Sequence, residues 1–125
     1  MRVILDTSIW IEFLKGNQPI HDQVHTLLIE DEVIGISAVF GELFYGVKNK
    51  KEEIQITKLW ELLPKLNEEN SMLKAGRYAN FHKFMHKGVG LVDASLAYLA
   101  LENNAKVWTL DKRLKQNLPY GVSYD

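Results

Sequence analysis

Asp6, Glu42, Asp93 and Asp111 are spread along the 125-residue chain, each at or just beyond a place where a strand hands over to a helix. Asp6 closes the apolar run Val3-Ile4-Leu5, and Asp111 follows Lys106-Val107-Trp108-Thr109-Leu110. Glu42 sits one turn into the helix after Val33-Ile34-Gly35-Ile36, and Asp93 opens the helical run through Glu102. In a parallel α/β sheet such positions converge at the carboxyl ends of the strands, where these folds bind ligands. Four carboxylates brought together push one another's pKa upward. A divalent cation removes that conflict, so the pattern reads first as a metal site. Oxygen-only donors of this kind suit Mg²⁺ or Mn²⁺.

The elements that must position these acids follow from periodicity and punctuation. A strand over residues 2–5 is followed by a helix from Ser8 to Lys15, stopped by Gly16-Asn17. A second helix, Ile20 to Glu30, carries Ile20, Val24, Leu27 and Leu28 on one side. Val33 to Ile36 is the next strand, and Ser37 is the expected N-cap of the helix bearing Glu42. Another helix spans Glu52 to Leu62, and Leu63-Pro64-Lys65-Leu66 reads as an edge strand, because Pro64 cannot donate to a central ladder. One long helix is predicted from Glu68 to His86, ending at Gly88 and Gly90. The Asp93 helix, the Val107 strand, a short helix from Asp111 to Asn117 and a last strand around Val122 complete the chain. Five short strands separated by helices predict a parallel α/β sheet in a single domain over residues 1–125.

Three of the acids also have a purely structural role open to them. Asp6 could cap the helix starting at Thr7-Ser8, worth about 1 kcal/mol. Asp93 and Asp111 could each stabilise a helix amino terminus through its dipole, for roughly 0.3–1 kcal/mol apiece. Glu42 has no such role: a capping box with Ser37 needs the acid three residues after the cap. It stands between Ala38 one turn before and Gly46 one turn after, leaving room for an approaching group, while Val39, Leu43 and Val47 face the core. Trp10, Phe13 and Phe44 are expected to fill the core, and Phe40 or Tyr45 to reach a partner surface.

The ordered set Asp6-Thr7-Ser8, Glu42, Gly90-Leu91-Val92-Asp93 with Ala94-Ser95-Leu96-Ala97, and Thr109-Leu110-Asp111-Lys112 resembles the PIN-domain nucleases. The likeness is closest to the small single-domain ribonuclease toxins of the VapC type and covers nearly the whole chain. The resemblance implies a five-stranded parallel sheet in the order 3-2-1-4-5 with the acids at its carboxyl edge. It also implies Mg²⁺ or Mn²⁺ at that edge, and hydrolysis of RNA phosphodiesters leaving a 5′-phosphate. A homodimer and a cognate antitoxin that blocks the site are implied in the same way. Ser8 stands where the family often has Asn; Ser can still hydrogen-bond a carboxylate or a water. On this reading Asp6, Asp93 and Asp111 hold the metal, and Glu42 either binds it through water or orients the attacking water. Thr7, Ser8 and Thr109 are expected to position the carboxylates or a phosphate. Lys48, Lys112 and Arg113 belong to short basic clusters that could steer RNA. Helices around residues 8–30 and 52–62 are the expected groove for a protein partner.

Composition bounds the alternatives. Hydrophobic residues at 46% and charged residues at 25% are those of an ordinary globular domain, long enough to bury roughly two-thirds of its unfolded surface. With no cysteine, disulfides and thiolate zinc sites are excluded, a reducing compartment is permitted, and a cytoplasmic location is expected. The apolar run after Met1-Arg2 breaks too early for a signal peptide, so none is expected. No apolar stretch nears the roughly 18 residues that span a bilayer, so no membrane partner is expected. A net charge of −1 provides no overall basic footprint for nucleic acid and favours recognition of a particular RNA loop or shape.

A phospho-signalling receiver domain would need an acidic pair closing the first strand and an Asp closing the third, where the chain has Leu66-Asn67. A phosphatase of the haloacid dehalogenase type would need Asp two places after Asp6, where Ser8 stands. A non-catalytic binding or scaffold module on the same fold is the third alternative, and the intact acid set argues against it. His21/His25 and His82/His86 each lie one helical turn apart, but neither pair has the Glu of the H-E-x-x-H motif, and solvated helix faces are their default.

Overall fold

The chain was analysed as a computed structural model describing residues 1–125. Its sheet is built on β1 (Val3–Leu5), which lies between β2 (Val33–Ile34) and β3 (Lys106–Trp108), all parallel. Val3 pairs with both Val33 and Lys106, and Leu5 with Trp108. A central parallel strand is covered on both faces, which is why β1 has no polar alternation and Val3, Ile4 and Leu5 are all buried.

The expected five-stranded sheet is corrected to three laddered strands. At the two outer positions the chain makes one parallel bridge each, Gly35 with Lys65 and Val107 with Ser123. The outer bonds are Gly35 N–H to the Pro64 carbonyl at 2.9 Å, and Val107 N–H to the Val122 carbonyl at 2.8 Å. Pro64 has no N–H to extend a ladder, and Pro119, with Gly121 at φ 81°, bends the chain just before Val122. Both edges therefore approach in the predicted places without forming strands.

Seven α-helices surround the sheet: α1 (Thr7–Leu14), α2 (Ile20–Ile29), α3 (Ser37–Tyr45), α4 (Lys50–Leu62), α5 (Ser71–Phe81), α6 (Leu91–Glu102) and α7 (Lys112–Asn117). Helix α1 packs on α2 and α3, α3 on α4, and α5 on α6, which also packs on β3. Helix α6 is apolar on nearly every side, with Ala94, Ser95, Leu96 and Ala97 consecutively buried, as a helix wedged between sheet and α5 must be.

Three local expectations change. The long helix from Glu68 to His86 ends at Phe81; Lys83 turns left-handed (φ 58°) and a 3₁₀ turn, Phe84–Lys87, follows. This break lets Phe84 point inward, 2% exposed, with its ring edge-on to Tyr78 at 5.5 Å. Ser37 is the first helical residue of α3 rather than its cap, and its N–H is satisfied from a distance by the Glu68 carboxylate at 2.9 Å. Phe44, expected in the core with Trp10 and Phe13, is exposed, whereas Phe40 is buried against Trp10 with ring centroids 5.4 Å apart.

Candidate active site

Asp6 is the hub of the acid edge. Its N–H bonds to the Trp108 carbonyl at 2.9 Å, tying the end of β1 to the end of β3 and bringing residues 6 and 109 together. Its carboxylate is buried. Oδ1 accepts the Thr7 N–H at 2.7 Å; Oδ2 accepts the Thr109 hydroxyl at 2.6 Å and the Ser8 hydroxyl at 3.4 Å. The same Thr109 oxygen accepts the Asp111 N–H at 3.0 Å, and Ser8 Oγ accepts the Leu110 N–H at 3.2 Å. On the other side the Thr7 hydroxyl donates to Glu42 Oε1 at 2.7 Å. One hydrogen-bonded chain thus runs Glu42–Thr7–Asp6–Thr109–Asp111 across three separate elements.

Asp93 joins the group through its field. It lies in the first turn of α6, half-buried, and its carboxylate accepts no hydrogen bond from the protein. Burial, then the charges of Asp6, Asp111 and Glu42, raise its pKa from 3.8 to about 6. Burial also pushes Asp6 upward, opposed by the bonds from Thr109 and Thr7, with Glu42 adding to the rise. The expectation that four distant acids crowd one edge is therefore expressed as mutual electrostatic destabilisation.

Some structural roles are also filled. Asp111 Oδ1 caps α7 by accepting the Arg113 and Leu114 N–H groups at 2.9 and 3.1 Å, leaving Oδ2 without a protein partner. Capping and charge display coexist in one side chain. No three acidic or histidine side chains converge in the geometry of a closed cation cage, and like charge favours such splayed rotamers. The donor set nonetheless fits a hard cation: oxygen only, four negative charges, and orientation by hydroxyls and backbone N–H groups.

The basic candidates divide. Lys112 and Arg113 are exposed in the first turn of α7, directly after Asp111. Lys48 instead rims a cleft of about 360 Å³ between α1, α3 and α4, floored by Ile11, Leu14, Leu43 and Ile56, with Glu42 on its wall. Helix α2, part of the expected partner groove, contributes nothing to that cleft. Lys15 and Gln55 do, and sequence reasoning missed them because they come from separate helices with no shared period.

The buried Thr109 hydroxyl both donates to Asp6 and accepts from Asp111, so Thr109→Val leaves a buried carboxylate oxygen and an N–H short of a partner. The isostere is expected to destabilise the protein by about 1–3 kcal/mol in urea denaturation. A change within about 0.5 kcal/mol, the range of featureless surface sites, would show that the network carries no weight.

A parallel α/β sheet with acids from Asp6, Glu42, Asp93 and Asp111 at its carboxyl edge is the arrangement of one nuclease-rich fold family, and the model of that family, the PIN domain, matches residues 3–117. The chain belongs to the PIN-domain family. Among its relatives is Ribonuclease VapC32 of Mycobacterium tuberculosis, in strains CDC 1551 / Oshkosh and ATCC 25618 / H37Rv. Each is 30% identical over 115 residues, covering 90% of this chain and 87% of the relative. No helix is long and apolar enough to cross a membrane.

Proposed function

We propose that this protein is a Mg²⁺- or Mn²⁺-dependent endoribonuclease and the toxin of a type II toxin–antitoxin pair. The reading is carried by the Asp6 hub, a buried carboxylate oriented by Thr7, Ser8 and Thr109 and facing the destabilised Asp93. Membership of the PIN-domain family and the ribonuclease relative support it. Asp6, Asp93 and Asp111 would hold the cation, with Glu42 contributing directly or through water. When bound, the cation supplies Lewis-acid activation of a water and neutralises charge growing on the scissile phosphate.

The chain's own residues supply the rest. The Thr7 hydroxyl occupies one Glu42 oxygen, leaving the other to accept a proton from the attacking water and fix its direction. Thr109 and Ser8 hold Asp6 Oδ2 and the Thr7 N–H holds Oδ1, so both carboxylate oxygens are fixed from the protein side. Lys112 and Arg113 flank Asp111 and would draw the phosphates next to the scissile one. The cleft beside Glu42 is an antitoxin surface: a segment seated on Ile11, Leu14, Leu43 and Ile56 would reach Glu42 and cover the site. The toxin works as a homodimer in the cytoplasm, where its RNA substrate is found.

Purified protein incubated with total cellular RNA is expected to cleave it with Mg²⁺ or Mn²⁺ and not with EDTA, and an identically prepared Asp6→Asn variant is expected to be inactive. Equal cleavage by both preparations would indicate a contaminating ribonuclease. Absence of cleavage across the whole RNA pool would move the protein to the non-catalytic module.

A further inference from the structure

Four carboxylates outweigh the charge of one divalent cation, so the acid edge has little net attraction for RNA and affinity must come from beside it. Residues 71–92 contain Lys74, Arg77, Lys83 and Lys87 and not one of the chain's sixteen Asp and Glu residues. This is a local concentration of positive charge in a protein of net charge −1. None of the four cations pairs with a carboxylate; the ion pairs of the protein lie elsewhere, at Glu32, Asp22, Glu53 and Asp125. Surface lysines normally find diffuse counter-charges nearby; within this segment there are none, and the flanking acids are Glu68, Glu69 and Asp93.

The same segment exposes apolar side chains that the core does not need. Phe81 is 80% exposed and Met85 89%, while Phe84 between them is buried and fixes the turn. The ring neighbour of Phe81 is His82, 5.1 Å away and nearly perpendicular, and the exposure of Phe81 leaves its ring open to a partner. The left-handed residues Lys83 and Gly88 bracket the 3₁₀ turn, and Phe81, Lys83, Met85 and Lys87 are all exposed within seven residues of chain.

This surface is continuous with the acid edge. The Arg113 side chain lies over Gly88: a Cβ there would stand 2.9 Å from a guanidinium nitrogen and 3.3 Å from its Cδ. Arg113 belongs to the helix that Asp111 caps, and α6, with Asp93 in its first turn, begins three residues after Gly88. The Arg113–Gly88 contact thus joins the helix that Asp111 caps to the 3₁₀ turn that carries Lys87.

Resting on the ribonuclease reading above, we propose that the end of α5 and the 3₁₀ turn form the track for single-stranded RNA flanking the cleavage site. Lys83, Lys87 and Arg77 take successive phosphates, and Phe81 stacks on a base. Cations interleaved with an open aromatic face are what single-stranded nucleic acid requires. An acidic protein segment would match the charge too, but cations alternating with an open ring reproduce the phosphate-and-base repeat of a single strand.

Binding of a fluorescein-labelled, mixed-sequence single-stranded RNA, followed by anisotropy in EDTA and an Asp93→Asn background, isolates the track from catalysis. Lys83→Ala/Lys87→Ala is expected to weaken binding by roughly tenfold and to reduce the slope of log Kd against log salt by about 1.4, the loss of two single-strand phosphate contacts. Phe81→Ala is expected to weaken it at least about fivefold, Phe81→Trp to restore it and Phe81→Leu not. Lys50→Ala/Lys58→Ala on α4, with the same charge change, is the control. Unchanged binding in the Lys83/Lys87 and Phe81 variants, while the otherwise wild-type protein still cleaves cellular RNA, would overturn the track and leave the ribonuclease standing. Binding that depends on Phe81 and Lys83 without any cleavage by the wild type would keep the track and remove the ribonuclease. Variants that bind RNA normally but sediment as smaller species would assign the patch to contacts between copies of the chain and overturn the track.

Discussion

Replacing Asp93 with Asn is expected to abolish RNA cleavage and, in the same molecule, to raise the melting temperature of the metal-free protein at neutral pH. The loss of activity follows from position. Asp93 is half-buried, makes no hydrogen bond to the protein, and lies in the combined field of Asp6, Asp111 and Glu42, so once ionised, above about pH 6, it is relieved by a bound cation. Losing even an outer partner of a metal site reduces function by about 10–100-fold, and a direct ligand should exceed that. Cleavage of cellular RNA by Asp93→Asn at more than about a tenth of the wild-type rate would remove Asp93 from the site.

The gain in stability has the opposite sign because the carboxylate is unfavourable where it stands. Its pKa is 3.8 in a free chain and about 6 when folded, so the folded state holds the proton more tightly. That contribution is fully present below pH 3.8 and disappears as pH rises through about 6. The difference would amount to about 3 kcal/mol for an enclosed group; solvent screening at a half-buried one reduces it to roughly 1–2 kcal/mol. Asn cannot ionise, so at pH 7.5 the variant should melt higher by about 4 °C for each kcal/mol regained. Near pH 4 the two proteins should converge. Adding Mn²⁺ should raise the melting temperature of the wild type at pH 7.5 and have little effect on the variant. A melting difference that stays constant between pH 4 and 8 would separate Asp93 from this electrostatic conflict.

How much of this was legible in the sequence depends on the range of the interaction concerned. Asp6 and Asp111 could be placed because they lie just after β1 and β3, and Glu42 because its helix follows β2; strand ends of a parallel sheet gather at one edge. Asp93 follows a 3₁₀ turn instead and joins them from the first turn of α6. The Thr109–Asp6 bond spans residues far apart in sequence, yet both were found, because both flank strands that pair. The edge strands were not legible, because whether Leu66 or Val122 continues a ladder depends on neighbours that local propensity cannot see. The break after Phe81 was hidden for a related reason. Residues 68–86 read as one helix, and only the demand to bury Phe84 stops it. The basic, acid-free stretch over residues 71–92 stands in the sequence, but only the helix break shows that Phe81 and Met85 beside its cations face solvent. Phe40 and Phe44 exchanged roles for the simplest reason, since four residues along a helix is slightly more than one turn and a small error in phase moves a ring from core to water.

The largest expected loss of stability belongs to Trp10→Ala, and it bears on the site as well as the core. Trp10 is fully buried in α1, edge-on to Phe13 at 5.9 Å and to Phe40 of α3 at 5.4 Å; Phe40 in turn meets Trp60 of α4 at 5.2 Å. Truncation of so large a side chain in a packed interior costs about 3–5 kcal/mol, a large part of the roughly 5–15 kcal/mol that holds a domain folded. The midpoint of urea unfolding should fall accordingly, and a loss below about 1.5 kcal/mol would show that the neighbouring rings close over the cavity. The consequence for the site comes from register. Trp10 is one turn after Thr7, and Phe40 two residues before Glu42, so the aromatic contact sets the spacing across which the Thr7 hydroxyl reaches Glu42 at 2.7 Å. Trp10→Phe keeps a ring in the gap and should retain most of the stability and activity. Phe13→Ala, at a half-buried position, should cost less than Trp10→Ala and leave cleavage nearly intact, because Phe13 lies outside the Trp10–Phe40 contact that joins α1 to α3. Equal loss of cleavage in Phe13→Ala and Trp10→Ala, each assayed below its own melting temperature, would show that general loosening rather than α1–α3 registration governs Glu42.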